Sequence, residues 1–170
     1  MDYDAAVRCM AENLYYEAAN QSLPGILAVG HVTLNRARAA RLDVCAVVHA
    51  PSQFSWTLQR ERANPDPVAF AGMLDLARGL LRSPGPDPTH GATYYHATYV
   101  SPAWARGMRR TTKIGAHVFY IGPWPWRAAE VREVAAPARA AAVREPVATE
   151  GESRSRAERS LSWPPMRARR

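Results

Sequence analysis

The stretch DAAVRCMAENLYYEAA, residues 4–19, decides the fold. Four apolar residues recur in it at helical spacing and form one stripe: Val7, Met10, Leu14 and Ala18. An aspartate at its start, Asp2 or Asp4, suits the cap or the positive end of a helix. The pattern therefore predicts an amphipathic helix that packs its stripe against the rest of the domain.

Two glutamates on this helix face different ways. A helix advances about 100° per residue, so Glu17 lies about 20° around the axis from Met10 and Glu12 lies about 160° from it. Glu17 is predicted at the edge of the buried stripe and Glu12 on the solvent side. This difference makes Glu17 the carboxylate to consider for chemistry.

Two further helices follow. One is predicted to begin at Ser22 with a proline in its first turn. Its run at residues 26–34 is apolar on nearly all sides, which is typical of a central helix. His31 lies in that run and is interpreted as a core histidine whose polar atoms are satisfied. A third helix is predicted from the Asp-Pro pair at residues 66–67 to the Ser-Pro-Gly-Pro run at residues 83–86.

Beyond the helices the pattern changes to strands. Residues 92–100 are dense in Thr and Tyr, and residues 113–121 form a second run of this kind. We expect the two runs to pair antiparallel. The sequence thus predicts an α+β fold, a helical lobe followed by a small antiparallel sheet, with a cleft between them.

Composition divides the chain near residue 127. The 170 residues are 47% hydrophobic and carry a net charge of +7, which favours anionic partners. Residues 1–126 are predicted to form one domain. Residues 127–170 hold 10 Arg and 6 Glu but one aromatic residue, so this basic tail is predicted to be largely disordered, with a marginal helix near residues 130–144.

Other sequence features exclude whole classes of protein. Cys9 and Cys45 are interpreted as two small buried side chains, with one disulfide left open, and no CxxC or CxxH pair exists to hold zinc. We expect neither a metal nor a cofactor. The first residues lack the basic and apolar regions of a signal peptide, and no apolar run approaches the length of a membrane span.

Several blocks resemble one known family. ENLYYEA at residues 12–18, GILAV at residues 25–29 and LNR at residues 34–36 resemble the SleB-type cell wall hydrolases, which include spore-cortex-lytic enzymes and some phage lysins. Four later blocks agree in order: VCAVV at 44–48, QFSW at 53–56, DPTHGATYYH at 87–96 and IGAHVFY at 114–120. Each block is weak, but their order and spacing over residues 5–121 are specific.

The resemblance implies a lysozyme-like fold and cleavage of the MurNAc–GlcNAc bond of peptidoglycan, typically as a lytic transglycosylase. It places the catalytic glutamate in the Glu-Ala pair of the first block, which is Glu17. Two positions depart from the family pattern: Gln21 replaces a second acidic residue, and His90 stands where many relatives carry glycine. The first departure predicts a different activity or pH optimum.

Glycoside cleavage usually employs two carboxyl groups, so a second acid was sought. Asp87 is the other candidate, although its Gly-Pro-Asp-Pro context is typical of a turn residue. A mechanism with one acid fits better. Glu17 would protonate the leaving oxygen and then act as the base, while the 6-hydroxyl of the muramic acid attacks intramolecularly. Burial beside the apolar stripe would raise the pKa of Glu17 as this role demands.

Aromatic side chains stack on sugar rings, and polar ones bond N-acetyl groups, although about half of the aromatic residues are expected to be core. The residues assigned to substrate binding are Gln53, Phe54, Ser55, Trp56, Tyr94, Tyr95 and His96. Further residues considered for the cleft are Tyr15, Tyr16, Asn35 and Trp104.

We therefore predict a monomeric peptidoglycan-cleaving enzyme, and a phage endolysin that stays in the host cytoplasm until release and then acts at the wall. The basic tail is predicted to contact anionic envelopes. Two alternatives remain open: a peptidoglycan-binding module without catalysis, and a muramidase that hydrolyses the same bond with water. A nucleic-acid-binding role is disfavoured because no motif for it is present.

Overall fold

A computed structural model describes residues 2–51, 53–59 and 63–123 of the chain. The predicted basic tail, residues 127–170, lies outside this range. Four helices and three strands follow in order: α1 (Tyr3–Ala18), α2 (Leu23–Ala40), α3 (Val44–Val48), α4 (Pro67–Arg82), β1 (Tyr94–Ala97), β2 (Arg109–Ile114) and β3 (His117–Ile121). Two short 3₁₀ turns, Ser55–Leu58 and Ala103–Gly107, lie in the connections. The α+β arrangement predicted from the sequence is confirmed.

The helices begin where their capping residues place them. The side chain of Asp2 accepts from the backbone amide of Asp4, and that of Asp66 accepts from Ala69. Ser22 precedes α2, which has its proline in the first turn. The starts of the three long helices were thus predicted to within one residue, whereas α2 continues six residues beyond the apolar run that ends at Leu34, and α3 was not predicted as a helix.

In the helical lobe, α1 packs against α2, α3 and α4, and α2 contacts α3 and α4 as well. The stripe of α1, which comprises Val7, Met10, Leu14 and Ala18, is buried as predicted. Gly30 allows α2 and α4 to approach each other closely, because a Cβ at this position would lie 2.5 Å from Cδ1 of Leu80 on α4. Helix α2 can therefore pack closely against its neighbours.

A buried polar network joins three parts of the lobe. The side-chain amide of Asn13 on α1 donates to the hydroxyl of Thr33 on α2 over 3.0 Å. The indole N–H of Trp56 donates to the Asn13 carbonyl oxygen over 3.2 Å. Burying these polar atoms costs little stability because each has a partner. Trp56 is consequently fixed in the core of the lobe.

The sheet has the order β1-β3-β2, and both pairings are antiparallel. The expected pairing of the two sequence runs is confirmed, since Tyr94 pairs with Tyr120 and Ala97 with His117. The second run, however, is not one strand. Its first residues end β2, and the chain turns at Gly115, whose φ is 56°. Strand β2 was missed because its exposed Arg residues and partly buried Thr residues lack the apolar alternation of a half-buried strand.

Cys9 and Cys45 form a disulfide between α1 and α3. The interpretation as two separate buried thiols is therefore wrong, and both side chains are partly exposed. The sequence separation of 36 residues hides the pairing, which depends on how α3 folds back against α1.

No helix in the described residues is long and apolar enough to cross a membrane. The same residues contain no group of three or more His, Cys, Asp or Glu side chains that could hold a metal ion.

The disulfide should contribute measurably to stability. A Cys9→Ala/Cys45→Ala variant is expected to lose about 2–4 kcal/mol of unfolding free energy, because the cross-link restricts the unfolded chain. Urea unfolding under non-reducing conditions measures this loss. Wild-type protein unfolded with a reducing agent is the control and should show the same loss. An unchanged midpoint on reduction would contradict the pairing.

Candidate active site

The candidate site lies where the end of α1 meets β1. The Tyr95 hydroxyl donates to Oε2 of Glu17 over 2.7 Å. The two residues are 78 positions apart in sequence, so this bond joins the helical lobe to the sheet. Glu17 is half-buried, as its position at the edge of the apolar stripe predicted.

Burial raises the pKa of the Glu17 carboxyl above its usual value. The hydrogen bond from Tyr95 and the positive charge of Arg36 oppose that change but do not cancel it. The pKa of the Tyr95 hydroxyl is held well above its ordinary value by burial and by the adjacent Glu17 carboxylate. Tyr95 therefore remains a hydrogen-bond donor, and Glu17 retains a proton to higher pH than an exposed glutamate.

Arg36 is the cation of the site. Its guanidinium is buried, donates to the Thr93 carbonyl over 2.7 Å and lies 5.1 Å from the ring centre of Phe54. Burial lowers the pKa of Arg36, while the charges of Tyr95, Tyr94 and Glu17 oppose this. The sequence identifies Arg36 only as part of a family block, because spacing along the chain gives no sign that its charge acts on Glu17.

His117 is a second residue that the sequence interpretation did not select. Its ring lies 5.0 Å from that of Tyr95, in an edge-to-face contact. Burial and the neighbouring His96 lower the pKa of His117, so its ring is neutral near neutral pH. Nδ1 of His117 is buried without a hydrogen-bond partner in the described residues. The residue orients the Tyr95 ring through packing.

The remaining aromatic residues predicted to bind sugar fall on different sides of the domain. Phe54 and Trp56 are buried, the first under Arg36 and the second stacked on Tyr16 at 4.9 Å. Tyr94 and His96 lie on the sheet face opposite Tyr95, since successive side chains of a strand alternate. Of this predicted set, Tyr95 is the residue that the structure brings to Glu17. A sugar-binding role for the others stays a prediction.

The polar residues of the predicted set are also dispersed. Ser55 is exposed, and Gln53 donates to the backbone carbonyl of Pro51 over 3.1 Å. The hydroxyl oxygen of Tyr15 accepts from the backbone amide of Asp66, which caps α4, over 2.9 Å. Asn35 belongs to the network around Asp87 described next. None of these contacts joins a predicted polar residue to Glu17.

Asp87 is a structural carboxylate. It accepts from the amide and hydroxyl of Thr89, from the Gly91 amide and from Asn35, at 2.6–2.8 Å. Burial pushes its pKa upward, but these hydrogen bonds outweigh that effect and the pKa lies below its usual value. His31 lies nearby, with Nδ1 3.7 Å from Oδ1 of Asp87. The interpretations of Asp87 as a turn residue and of His31 as a core histidine are confirmed.

Gln21 and His90, the two residues that depart from the family pattern, each have a defined position in the structure. Oε1 of Gln21 accepts from the Ala116 amide over 3.2 Å, which ties the loop after α1 to the turn between β2 and β3. His90 has a φ of 56°, a left-handed conformation that glycine adopts without strain. Glycine is therefore the expected residue in relatives, and His90 bears a modest local strain.

Comparisons with known proteins place this chain in a family. The family described as Cell Wall Hydrolase matches residues 20–120. A spore cortex-lytic enzyme of Halalkalibacterium halodurans is 29% identical over 120 residues, which are 68% of this chain and 34% of that protein. The chain thus spans about a third of that relative's length. Glu17 lies three positions before the start of the family match.

Two solved structures are similar to this one. The catalytic domain of the germination-specific lytic transglycosylase SleB from Bacillus anthracis has a TM-score of 0.54 and 26% identity, covering 71% of this chain and 97% of that domain. The catalytic domain of SleB from Bacillus cereus has a TM-score of 0.53 and 28% identity, covering 68% and 89%. The chain belongs to the cell wall hydrolase family, of the SleB type.

The Tyr95–Glu17 bond makes a testable contribution to the site. Tyr95→Phe removes a donor that lowers the Glu17 pKa, so we expect that pKa to rise further. NMR titration of the Glu17 carboxyl carbon measures the change. Tyr94→Phe is the matched control, because the Tyr94 hydroxyl donates to the Pro123 carbonyl instead. A Tyr95→Phe variant with an unchanged or lower Glu17 pKa would show that the bond is absent in solution.

Proposed function

We propose that this protein cleaves the glycan strand of peptidoglycan at the MurNAc–GlcNAc bond, with Glu17 as its general acid. The observation that carries the proposal is the half-buried Glu17, with a raised pKa and a hydrogen bond from Tyr95, in a cell wall hydrolase fold. An acid must hold its proton near neutral pH to donate it to a leaving oxygen. Burial raises the pKa of Glu17, which is the direction that this role requires.

In the first step the protonated Glu17 donates to the glycosidic oxygen, and the bond to the muramic acid carbon breaks. Tyr95 holds Oε2 of Glu17, which orients the carboxyl group. The charge of Arg36 favours the carboxylate that remains after the proton has left. Glu17 is thus prepared to act as an acid first and a base second.

A second catalytic carboxylate is not evident among the described residues. The other carboxylates cap helices, pair with Arg78, serve the Asp87 network or point away from the site; they are Asp2, Asp4, Glu12, Asp43, Asp66, Asp75 and Asp87. Glu12 lines a separate pocket between α1 and the start of α4, with Arg8 and Phe70. A mechanism with one acid is therefore favoured.

The 6-hydroxyl of the muramic acid is the nucleophile that such a site requires. It is already part of the substrate, so its attack is intramolecular and needs less activation than water does. Glu17 takes its proton, and an internal 1,6-anhydro bond forms. The solved Bacillus anthracis relative is itself described as a lytic transglycosylase, which supports the same reaction class for this chain.

The setting of the reaction is proposed on the same basis. The Cys9–Cys45 disulfide supports action at the wall, because disulfides persist in oxidising surroundings outside the cytoplasm. The endolysin role, the monomeric state and the envelope contact of the basic tail stay predictions from the sequence.

Replacement of Glu17 tests the catalytic role. Glu17→Gln should reduce wall lysis by roughly 10²–10⁴-fold, because the amide cannot donate the proton. Turbidity of a suspension of purified walls measures lysis. Glu12→Gln on the same helix is the matched control and should retain nearly full activity. A dead Glu12 variant beside an active Glu17 variant would reverse the assignment, and equal lysis by Glu17→Gln and wild type would leave no general acid at this position.

The Glu17→Gln variant should also change how the melting temperature depends on pH. The pKa of Glu17 is raised in the folded protein, so its contribution to stability is present below the unfolded pKa and is lost as pH rises through the folded value. At neutral pH, Glu17→Gln should therefore melt no lower than wild type, and its melting temperature should vary less between acid and neutral pH. Calorimetry at two pH values measures this. A fall in melting temperature would indicate that Glu17 is a stabilising ion.

The products distinguish the two reaction types. Transglycosylation should yield fragments that end in 1,6-anhydro-muramic acid, lighter by one water than hydrolysis products and resistant to borohydride reduction. Mass spectrometry of digested walls detects them. Reducible muramic acid ends would indicate a muramidase that uses water. Reducible glucosamine ends would show that the other glycosidic bond is cut.

A further inference from the structure

Within the described residues, every Asp and Glu lies at or before residue 87, so the sheet lobe that follows has no acidic side chain. Residues 88–123 carry four cations and no Asp or Glu: Arg106, Arg109, Arg110 and Lys113. All four side chains are exposed. Within the described part of the chain, none of them has an ion-pair partner. The sheet lobe therefore presents positive charge without any acidic residue of its own nearby in sequence.

A bulge in β2 places two of these cations on one face of the sheet. The register pairs Arg110 with Tyr120 and Lys113 with Val118, with an irregularity between Arg110 and Thr112. Strand side chains alternate between faces, so residues 110 and 113 would point to opposite sides of a regular strand. The extra residue of a bulge restores them to the same side. Both cations thus share the face of Tyr120 and Val118.

This face is the outer one. The inner face carries Phe119, which packs against Ala28 and Val32 of α2. The outer face carries an aromatic cluster whose ring centres lie 5.3–5.6 Å apart: Tyr94, His96, Trp104 and Tyr120. Trp104 is 38% exposed at the rim of this cluster. An exposed aromatic ring and two exposed cations on the same side of the sheet suit a polymer with both sugar rings and negative charges.

We propose that this outer sheet face, defined by Trp104, Arg110 and Lys113, binds the peptidoglycan strand beyond the cleavage point. Trp104 stacks on a sugar ring, and the two cations take the carboxylates of the stem peptides. The inference rests on the proposed function, because peptidoglycan is the polymer that it names. Charge complementarity supports it, since exposed cations free of local carboxylates attract anionic groups at low cost of desolvation.

Continuity with the candidate active site is the second support. The charge of Arg36 acts on Glu17, and the Arg36 guanidinium lies 5.9 Å from the ring centre of Tyr94. Tyr94 in turn lies 5.5 Å from Trp104. A path of side chains therefore leads from the acid, around the edge strand β1, to the outer face. A glycan strand held at Glu17 can follow that path and bring its stem peptides to the cations.

The test compares two soluble ligands that share their sugars. Both are tetrasaccharides of alternating GlcNAc and MurNAc with stem peptides, one with free carboxylates and one with those carboxylates amidated. Binding is measured by calorimetry on full-length Glu17→Gln protein, which leaves the ligands intact. We expect the free-carboxylate ligand to bind about three- to tenfold more tightly at low salt, a preference that salt screening reduces.

Three variants in the Glu17→Gln background locate the residues that bind each part of the ligand. Arg110→Gln/Lys113→Gln should bind both ligands equally. Arg8→Gln/Arg41→Gln removes two exposed cations from the helical lobe and is the matched control, so it should keep the preference. Trp104→Ala should weaken both ligands by the same factor, because a stacked ring is lost whichever peptide is present.

The outcomes test the outer sheet face as a binding surface independently of the catalytic role of Glu17. A preference that survives in Arg110→Gln/Lys113→Gln, or that is absent from the Glu17→Gln protein itself, overturns the proposal. Tight binding of phosphate-bearing wall polymers without a preference between the two ligands also overturns it, and assigns the face to phosphate. If wild-type protein released no fragments from walls while the preference followed Arg110 and Lys113, the surface would stand and the proposed function would fall.

Discussion

A helix buried on nearly every side must satisfy its polar side chains within the protein, and α2 carries several of them. Thr33 bonds Asn13 of α1, Asn35 bonds Asp87 and the Ala92 carbonyl, and Arg36 bonds the Thr93 carbonyl. The last two residues thereby fix the chain that enters β1. Because β1 begins at Tyr94, directly after Thr93, α2 determines the position of Tyr95 relative to Glu17.

The electrostatics of the site follow from that placement. Glu17 and Arg36 are both withdrawn from water, and burial acts on each against its charged form. Their mutual attraction moderates this effect without removing it. The half-buried position raises the pKa of Glu17, and the Tyr95 hydroxyl holds one of its carboxyl oxygens.

The two faces of the sheet make different contacts. Its inner face joins α2 through Phe119 and reaches Glu17 through Tyr95. Its outer face gathers aromatic rings around Trp104 and, because of the bulge in β2, two cations. Strand alternation alone separates these roles, since Tyr94 and Tyr95 are neighbours in sequence and point to opposite sides.

The sequence by itself determined the long helices, the antiparallel pairing of β1 with β3, and the position of Glu17 at the edge of the buried stripe. These depend on local periodicity, on capping residues and on the angle between positions on one helix, all of which are short-range properties. Tertiary structure decided the rest. The Cys9–Cys45 pairing, the approach of Arg36 and His117 to the site, and the burial of Trp56 join residues far apart in the chain. Strand β2 belongs to the same group, because an exposed edge strand takes its conformation from pairing with β3 rather than from an apolar pattern of its own.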